Sequence, residues 1–471
     1  MPIDRTFNRI SSMTPASAAG LPGHLAPLSD ATRRLARAWL LLGIAALAIA
    51  GLFAILLVLA RAPGMGAFFP TQDFFRTALV VHVDQSVLIW FLAFAGVLWS
   101  SGAFAPSRTG APHRAAFFSA TLGCVVIAAA PFLGAGDPLL SNYVPVLRHP
   151  LFHAGLGLFG AGVLLQVLLA LRTAVATPLV WLERPADLAV LTAALATLVA
   201  MAALAWTWAH LDRWEGQAYF EFLFWGPGHV LQFAYTQLML AAWLALAAAL
   251  ALPLRDSPRV IGGLVLLGVL PLLAVPVIYL LHAVDTAEAR AAFTGLMQWG
   301  GGLAAVPVGL LVVLGLVQRH GAWARDARPP RNALAASLLL FAVGGALGMA
   351  ISGLNTVIPA HYHGSIVGVT LALMGLTYHL LPRLGFAPPP PRLAAWQPWV
   401  YATGQLLHVG GLAVSGAMGI QRKTAGAAQG LDTLGAKAAM GVMGLGGLLA
   451  VIGGILFVVA VIVAVRRRFR A

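Results

Sequence analysis

Apolar residues fall into about twelve long stretches, at 35–60, 72–100, 114–134, 150–171, 187–209, 217–247, 257–281, 294–318, 331–353, 364–384, 396–419 and 436–465. Each is roughly 20 residues or longer, enough at about 1.5 Å per residue to cross a hydrocarbon core of about 30 Å. The stretches are rich in Ala, Leu and Val, and the links between them are short and carry Pro, Gly, Arg or Asp, which start and stop helices. The pattern predicts an all-α, polytopic membrane protein. About twelve transmembrane helices form one bundle over 35–465, with a polar head at 1–34 and a basic tail at 466–471. Glycines within the spans, such as Gly300, Gly301, Gly302, Gly344 and Gly345, suit close helix packing or leave room for a bound group. Pro388–Pro391 reads as a stiff spacer.

Composition supports this class. Hydrophobic residues make up 60% of the chain and charged residues only 9%, against about a quarter charged in soluble proteins. The net charge of +14 does not indicate a nucleic-acid partner, because the cations are scattered through short links rather than clustered. Of the 29 Lys and Arg, 21 fall on one side of the predicted bundle and 8 on the other. That asymmetry puts both termini in the cytoplasm of a protein expected in the cell (inner) membrane. The head is polar and the first apolar run is long enough to span, so no cleavable signal peptide is expected. The single cysteine, Cys124, lies in an apolar run and excludes a disulfide framework or a covalent Cys-x-x-Cys-His heme attachment.

The chemistry is concentrated in histidines. His361-Tyr362-His363 opens the tenth span, and two residues of separation on a helix points the two imidazoles about 200° apart. They cannot share one metal, but they can serve two. His82 in the second span, His229 in the sixth and His282 at the exit of the seventh fall with them in the outer half of the bilayer. Intramembrane histidines mark functional sites by default, although a single one also bridges helices by hydrogen bonds. Convergence at one depth points to cofactors held between helices. His149, His153, His210, His379 and His408 read as structural or interfacial.

With Val80-Val81-His82-Val83-Asp84, the His361/His363 pair and Gly375-Leu376-Thr377-Tyr378-His379-Leu380-Leu381-Pro382-Arg383, the chain resembles subunit I of the heme-copper oxidase superfamily, which includes oxygen and nitric oxide reductases. The resemblance spans nearly the whole chain, and the last motif is similar to B-type oxidases. It implies two non-covalent hemes, a low-spin one on His82 and His363 and a high-spin one on His361. Trp225-Gly226-Pro227-Gly228-His229 resembles the family's Gly-His element, whose histidine binds a non-heme metal facing the high-spin heme. Gly419-Ile420-Gln421-Arg422-Lys423 resembles its propionate-binding Gly-x-Pro-Arg-Arg element, with Arg422 suited to bidentate carboxylate binding and Lys423 as a point charge; a solvated basic turn is the other reading.

Two departures from the family pattern bear on function. Where many oxygen reductases carry a tyrosine four residues after the sixth-span histidine, this chain has Phe233; where they carry a His-His pair, it has Leu281-His282. His229 and His282 would need help to hold non-heme iron or copper, and Asp285 is the nearest carboxylate in sequence. Tyr279 is a candidate substitute for the absent tyrosine. The missing phenol favours nitric oxide, whose coupling to nitrous oxide takes two electrons, over dioxygen, whose full reduction takes four. Electrons are expected from a donor subunit, cytochrome c or quinol at the outer face. Asp84 and Glu221 either relay protons or meet a partner, or else are neutral and hydrogen-bonded, and no proton-channel signature is evident. A transporter without hemes is the alternative from another class; it would be colourless and would show inverted repeats, which the chain lacks.

Overall fold

The computed structural model describes residues 28–61, 72–106, 108–134, 136–176, 181–211, 214–319 and 323–468. Helices carry almost all of it: α1 (Asp30–Arg61), α2 (Gln72–Val83), α3 (Trp90–Leu98), α4 (Ala111–Ala129), α5 (Pro150–Ala176), α6 (Pro185–Ala209), α7 (Gly216–Ala249), α8 (Pro258–Leu267), α9 (Ala274–Leu281), α10 (Ala287–Gly300), α11 (Ala305–Gln318), α12 (Arg328–Met349), α13 (Val357–Arg383), α14 (Pro391–Ala417) and α15 (Leu434–Arg468). The only regular strands among the described residues are the two-residue β1 (Pro138–Leu139) and β2 (Val146–Leu147), paired antiparallel in the loop between α4 and α5.

Ten described helices are long and apolar enough to cross a membrane, and a bent pair makes an eleventh. The protein is therefore an all-α, multi-pass membrane bundle. The remaining expected span, 396–419, is the 27-residue α14, which is long enough but polar enough to fall outside that count. Its polar residues Gln397, Gln405, His408 and Ser415 are turned inward and buried. The head expected at 1–34 lies outside the described residues up to 27. α1 starts inside it, at Asp30, with the Ser29 hydroxyl accepting from Thr32 N at 3.2 Å. This capping bond and an acid in the first turn extend the helix beyond its apolar run.

Two spans are irregular. The second passes from α2 to α3 through a π-helical stretch, Asp84–Ile89, in which Asp84, Gln85 and Ile89 are buried. The seventh bends by 41° between α8 and the segment beginning at Leu270. Pro271 has no N–H to donate to the preceding turn, and just before the break Val265 O accepts from both Gly268 N at 3.1 Å and Gln237 Nε2 at 3.0 Å.

Helices adjacent in sequence pack most extensively, notably α4 with α5, α6 with α7, α12 with α13 and α14 with α15. The tightest approach that bears on the site is between α12 and α13. A Cβ at Gly344 would lie 2.2 Å from Ser365 N, and one at Gly364 would lie 2.5 Å from Gly344 Cα. Small residues let the two backbones touch. Gly345, one position on, has nothing within 4 Å.

Candidate functional site

Near the N-terminal end of α13, His361 and His363 project to different neighbours, as their spacing requires. His361 turns to α12, with its Nδ1 2.7 Å from Gly344 O. A Cβ at Gly348, one turn further along α12, would meet that ring at 2.7 Å, so the helix surface under His361 is shaped by two glycines. His363 turns to α14, where its ring centroid lies 4.8 Å from that of His408. His82 and Arg61 are within electrostatic range of the same pair. Thus α1, α2, α13 and α14 each bring a polar group to one place, including His408, which the sequence suggested was a structural or interfacial bystander.

The hydrogen bonds determine what these imidazoles offer. Nδ1 of His82 lies 2.9 Å from Ala50 O, Nδ1 of His229 2.7 Å from Trp225 O, and Nδ1 of His408 3.0 Å from Met443 O. With its Nδ1 donating to a carbonyl, a neutral imidazole presents the lone pair of Nε2, the arrangement found for metal-bound histidines. His82 and His361 share it, so their donor chemistry fits axial heme ligation.

His229 lies in α7 behind Pro227 and is enclosed by aromatic rings: Tyr143 at 4.7 Å, Trp225 at 5.0 Å and Phe293 at 6.5 Å between centroids. Tyr143 comes from the loop between α4 and α5 with a left-handed backbone, φ +68°. Its ring covers Gly228, where a Cβ would lie 2.2 Å from Tyr143 Cγ. The side chain beside it, Asn142, anchors the loop. Asn142 N donates to Glu221 Oε2 at 2.9 Å, and Asn142 Nδ2 donates to the other carboxylate oxygen. Glu221 is also 3.8 Å from Arg290, whose guanidinium lies 4.2 Å above the Trp225 ring. Glu221 is thus an anchor held by hydrogen bonds from Asn142 and an ion pair with Arg290. Burial, reinforced by the Glu221 carboxylate, pushes the Tyr143 phenol pKa up. By contrast, both carboxylate oxygens of Asp84 are enclosed without a hydrogen-bond partner among the described residues.

Arg422 and Lys423 reach the same loop. Arg422 donates to Asn142 Oδ1 at 3.1 Å, and Lys423 donates to Leu140 O and, at 3.3 Å, to Asn142 Oδ1. Burial and the neighbouring Arg422 lower the Lys423 ammonium pKa to about 8, against a smaller opposing effect of Glu221. Together with Arg76, Glu221, Arg290 and Thr424, these two residues line a cavity of about 710 Å³. Its cationic wall matches the chemistry of heme propionates.

The non-heme metal set is not assembled in this way. Among the described residues, no group of three His, Cys, Asp or Glu side chains is placed to hold a metal ion. His282 caps α9 in an extended conformation, and Asp285 Oδ2 accepts from Trp214 Nε1 at 3.0 Å. His229, His282 and Asp285 therefore do not form a three-donor site. Phe233 is 1% exposed, and a Cβ at Gly300 would lie 3.2 Å from its Cζ, so its ring end is packed against another helix. The Tyr279 hydroxyl is 2.9 Å from Thr207 Oγ1 and 2.6 Å from where a Gly226 Cβ would stand, three residues before His229.

Sequence reasoning missed Asn142, Tyr143 and Arg290, which carry no motif of their own. Their only signal was indirect, in the small residue at Gly228 and the acid at Glu221 that they meet.

Comparison with known proteins adds an independent finding. The sequence model of one family, described as Cytochrome C and Quinol oxidase polypeptide I, matches residues 34–456. An uncharacterized protein of Rickettsia prowazekii is 29% identical, with the match covering 90% of this chain and 94% of that one. An uncharacterized protein of Aquifex aeolicus is 31% identical over 74% of this chain and 85% of its own length.

Proposed function

Because the chain belongs to the cytochrome c and quinol oxidase subunit I family, the heme-binding oxidoreductase subunits of the heme-copper superfamily, we propose that it is the catalytic subunit of a terminal reductase in the cell membrane, with both termini cytoplasmic, that reduces nitric oxide to nitrous oxide. His82 and His363 would hold a low-spin heme and His361 a high-spin heme, with Arg422 and Lys423 at the propionates. When bound, the two hemes supply one-electron storage and an open iron position for the gas.

The observation that carries this reading is the α13 pair, with His361 held against α12 and His363 beside His408. The carbonyls of Ala50 and Gly344 orient the His82 and His361 rings with Nε2 outward. The aromatic shell of Tyr143, Trp225 and Phe293 keeps water from His229. The residues proposed for a non-heme iron or copper do not fit a three-donor site, so no part of the reaction is assigned to such a metal. Electrons come from a separate donor, whether a subunit, cytochrome c or quinol. The choice of nitric oxide is supported by Phe233, because 2 NO + 2 e⁻ + 2 H⁺ → N₂O + H₂O needs no redox-active phenol at that position.

A second reading, an oxygen reductase making water, is favoured by the placement of the Tyr279 hydroxyl against Gly226. The test is to record spectra of the purified, dithionite-reduced protein with and without carbon monoxide, and then to follow gas turnover with a reduced donor. Two hemes, carbon monoxide binding that is lost in His361→Ala, and nitrous oxide production are expected. Dioxygen consumption without nitrous oxide would select the second reading. A colourless protein would refute both and return the chain to the transporter class.

A further inference from the structure

Arg61 is the last residue of α1. Its Nε and Nη2 are both enclosed by protein, and neither has a hydrogen-bond partner among the described residues. A guanidinium does not lose its proton in a protein, and a buried cation without a partner is strongly unfavourable. The C-terminal end of a helix favours a positive charge, but that field leaves the two N–H donors unsatisfied. Nor does the adjoining sequence supply an anion, since residues 62–71 contain no Asp or Glu.

The surroundings identify what is missing. Arg61 lies within electrostatic range of His363, His408 and Tyr362. Tyr362 is also within range of Arg422, so both guanidinium groups act on the residue that separates the two α13 histidines. Arg422 and Lys423 already donate to the Asn142 side chain and the Leu140 carbonyl, whereas Nε and Nη2 of Arg61 have no acceptor among the described residues. Nε and Nη2 form one edge of the guanidinium, with two parallel N–H bonds, which matches the two oxygens of a planar carboxylate.

We propose that Arg61 binds a propionate carboxylate of the low-spin heme through its Nε/Nη2 edge. This rests on the heme positions of the preceding section. The outer-face cations then divide the work. Arg61 holds one propionate from the α1 side, leaving Arg422 and Lys423 to the cavity beneath the α4–α5 loop.

The experiment compares the purified wild-type holoprotein with Arg61→Gln and Arg61→Lys. Redox titration of the low-spin heme would be combined with resonance Raman of its propionate bending mode. Loss of a nearby positive charge stabilises the ferric heme, so Arg61→Gln should lower the midpoint potential by about tenfold in the equilibrium constant, about 59 mV for one electron, and shift the propionate band. Arg61→Lys should retain most of the potential but still shift the band, because an ammonium cannot make the two parallel bonds. Carbon monoxide binding to the high-spin heme should be unchanged in both. If Arg61→Gln does not accumulate, the Raman shift of Arg61→Lys alone decides the matter. Two intact hemes with wild-type potential and propionate band in the variants would overturn this proposal and leave the functional reading standing. Selective loss of a co-purified phospholipid with an unchanged band would assign the anion to lipid and also overturn it. Absence of heme from the wild type would overturn both.

Discussion

Gly344→Ala tests whether helix packing and the ligand role of His361 are one device. A Cβ at position 344 would stand 2.2 Å from Ser365 N and 2.6 Å from both Gly364 C and Ser365 Oγ. The first two are backbone atoms of α13 and cannot rotate away. Ordinary contact begins near 3.4 Å, so α12 and α13 must part by about 1.2 Å at this point. The 2.7 Å bond from His361 Nδ1 to Gly344 O would then stretch towards about 3.9 Å, beyond hydrogen-bond range. Overpacking of this kind costs about 1–3 kcal/mol, and the lost bond adds about 0.5–1.5 kcal/mol, giving roughly 1.5–4.5 kcal/mol in all. The assay pairs thermal unfolding with the iron-histidine stretch of the reduced, carbon monoxide-binding heme. Both should fall in Gly344→Ala, and neither should change in Gly345→Ala, whose Cβ meets nothing within 4 Å. Equal behaviour of the two variants, or a destabilised Gly344→Ala with an unaltered iron-histidine band, would refute the coupling.

Three further outcomes are expected. Gly228→Ala places a methyl group 2.2 Å from Tyr143 Cγ; it should expel that ring from His229, lower stability by about 1–3 kcal/mol and raise Tyr143 labelling by a phenol-directed reagent, and unchanged labelling would count against the aromatic cover. Lys423 has its folded pKa lowered to about 8 from 10.5, so the unfolded chain binds more protons between those values and stability gains as pH rises through that window. The unfolding midpoint of the wild type should therefore climb relative to Lys423→Met between pH 8 and 10, and a constant gap would show that the ammonium is not desolvated. Asp285→Asn keeps an acceptor for Trp214 Nε1 and should leave the metal content of the purified protein unaltered; loss of one metal equivalent would place Asp285 among the ligands after all.

Much of the architecture was legible along the chain because membrane burial is a local property. A run of apolar residues long enough to cross the bilayer must satisfy its own backbone hydrogen bonds, so length and hydropathy determine helix, span and bundle together. The same reasoning leads to the expectation of one depth for His82, His229, His361 and His363, and the two-residue spacing of His361 and His363 required that they face different neighbours, as they do. The polarity of α14 was equally visible. That its glutamines and His408 turn inward, with His408 beside His363, was not, because no periodicity states which neighbouring helix a face will meet.

The tertiary structure decided the partners. Asn142 meets Glu221 and Arg422 across 79 and 280 residues, and Tyr143 reaches His229 only because Gly228 leaves space for its ring. Asp285, the nearest carboxylate to His282 in sequence, is held by Trp214 instead. The sequence by itself determined where apolar length and helical spacing put each residue along and around its own helix. Only the packed bundle decided which carbonyl orients a given imidazole and which cation is left without an anion, because those pairings arise between segments whose local patterns do not refer to one another.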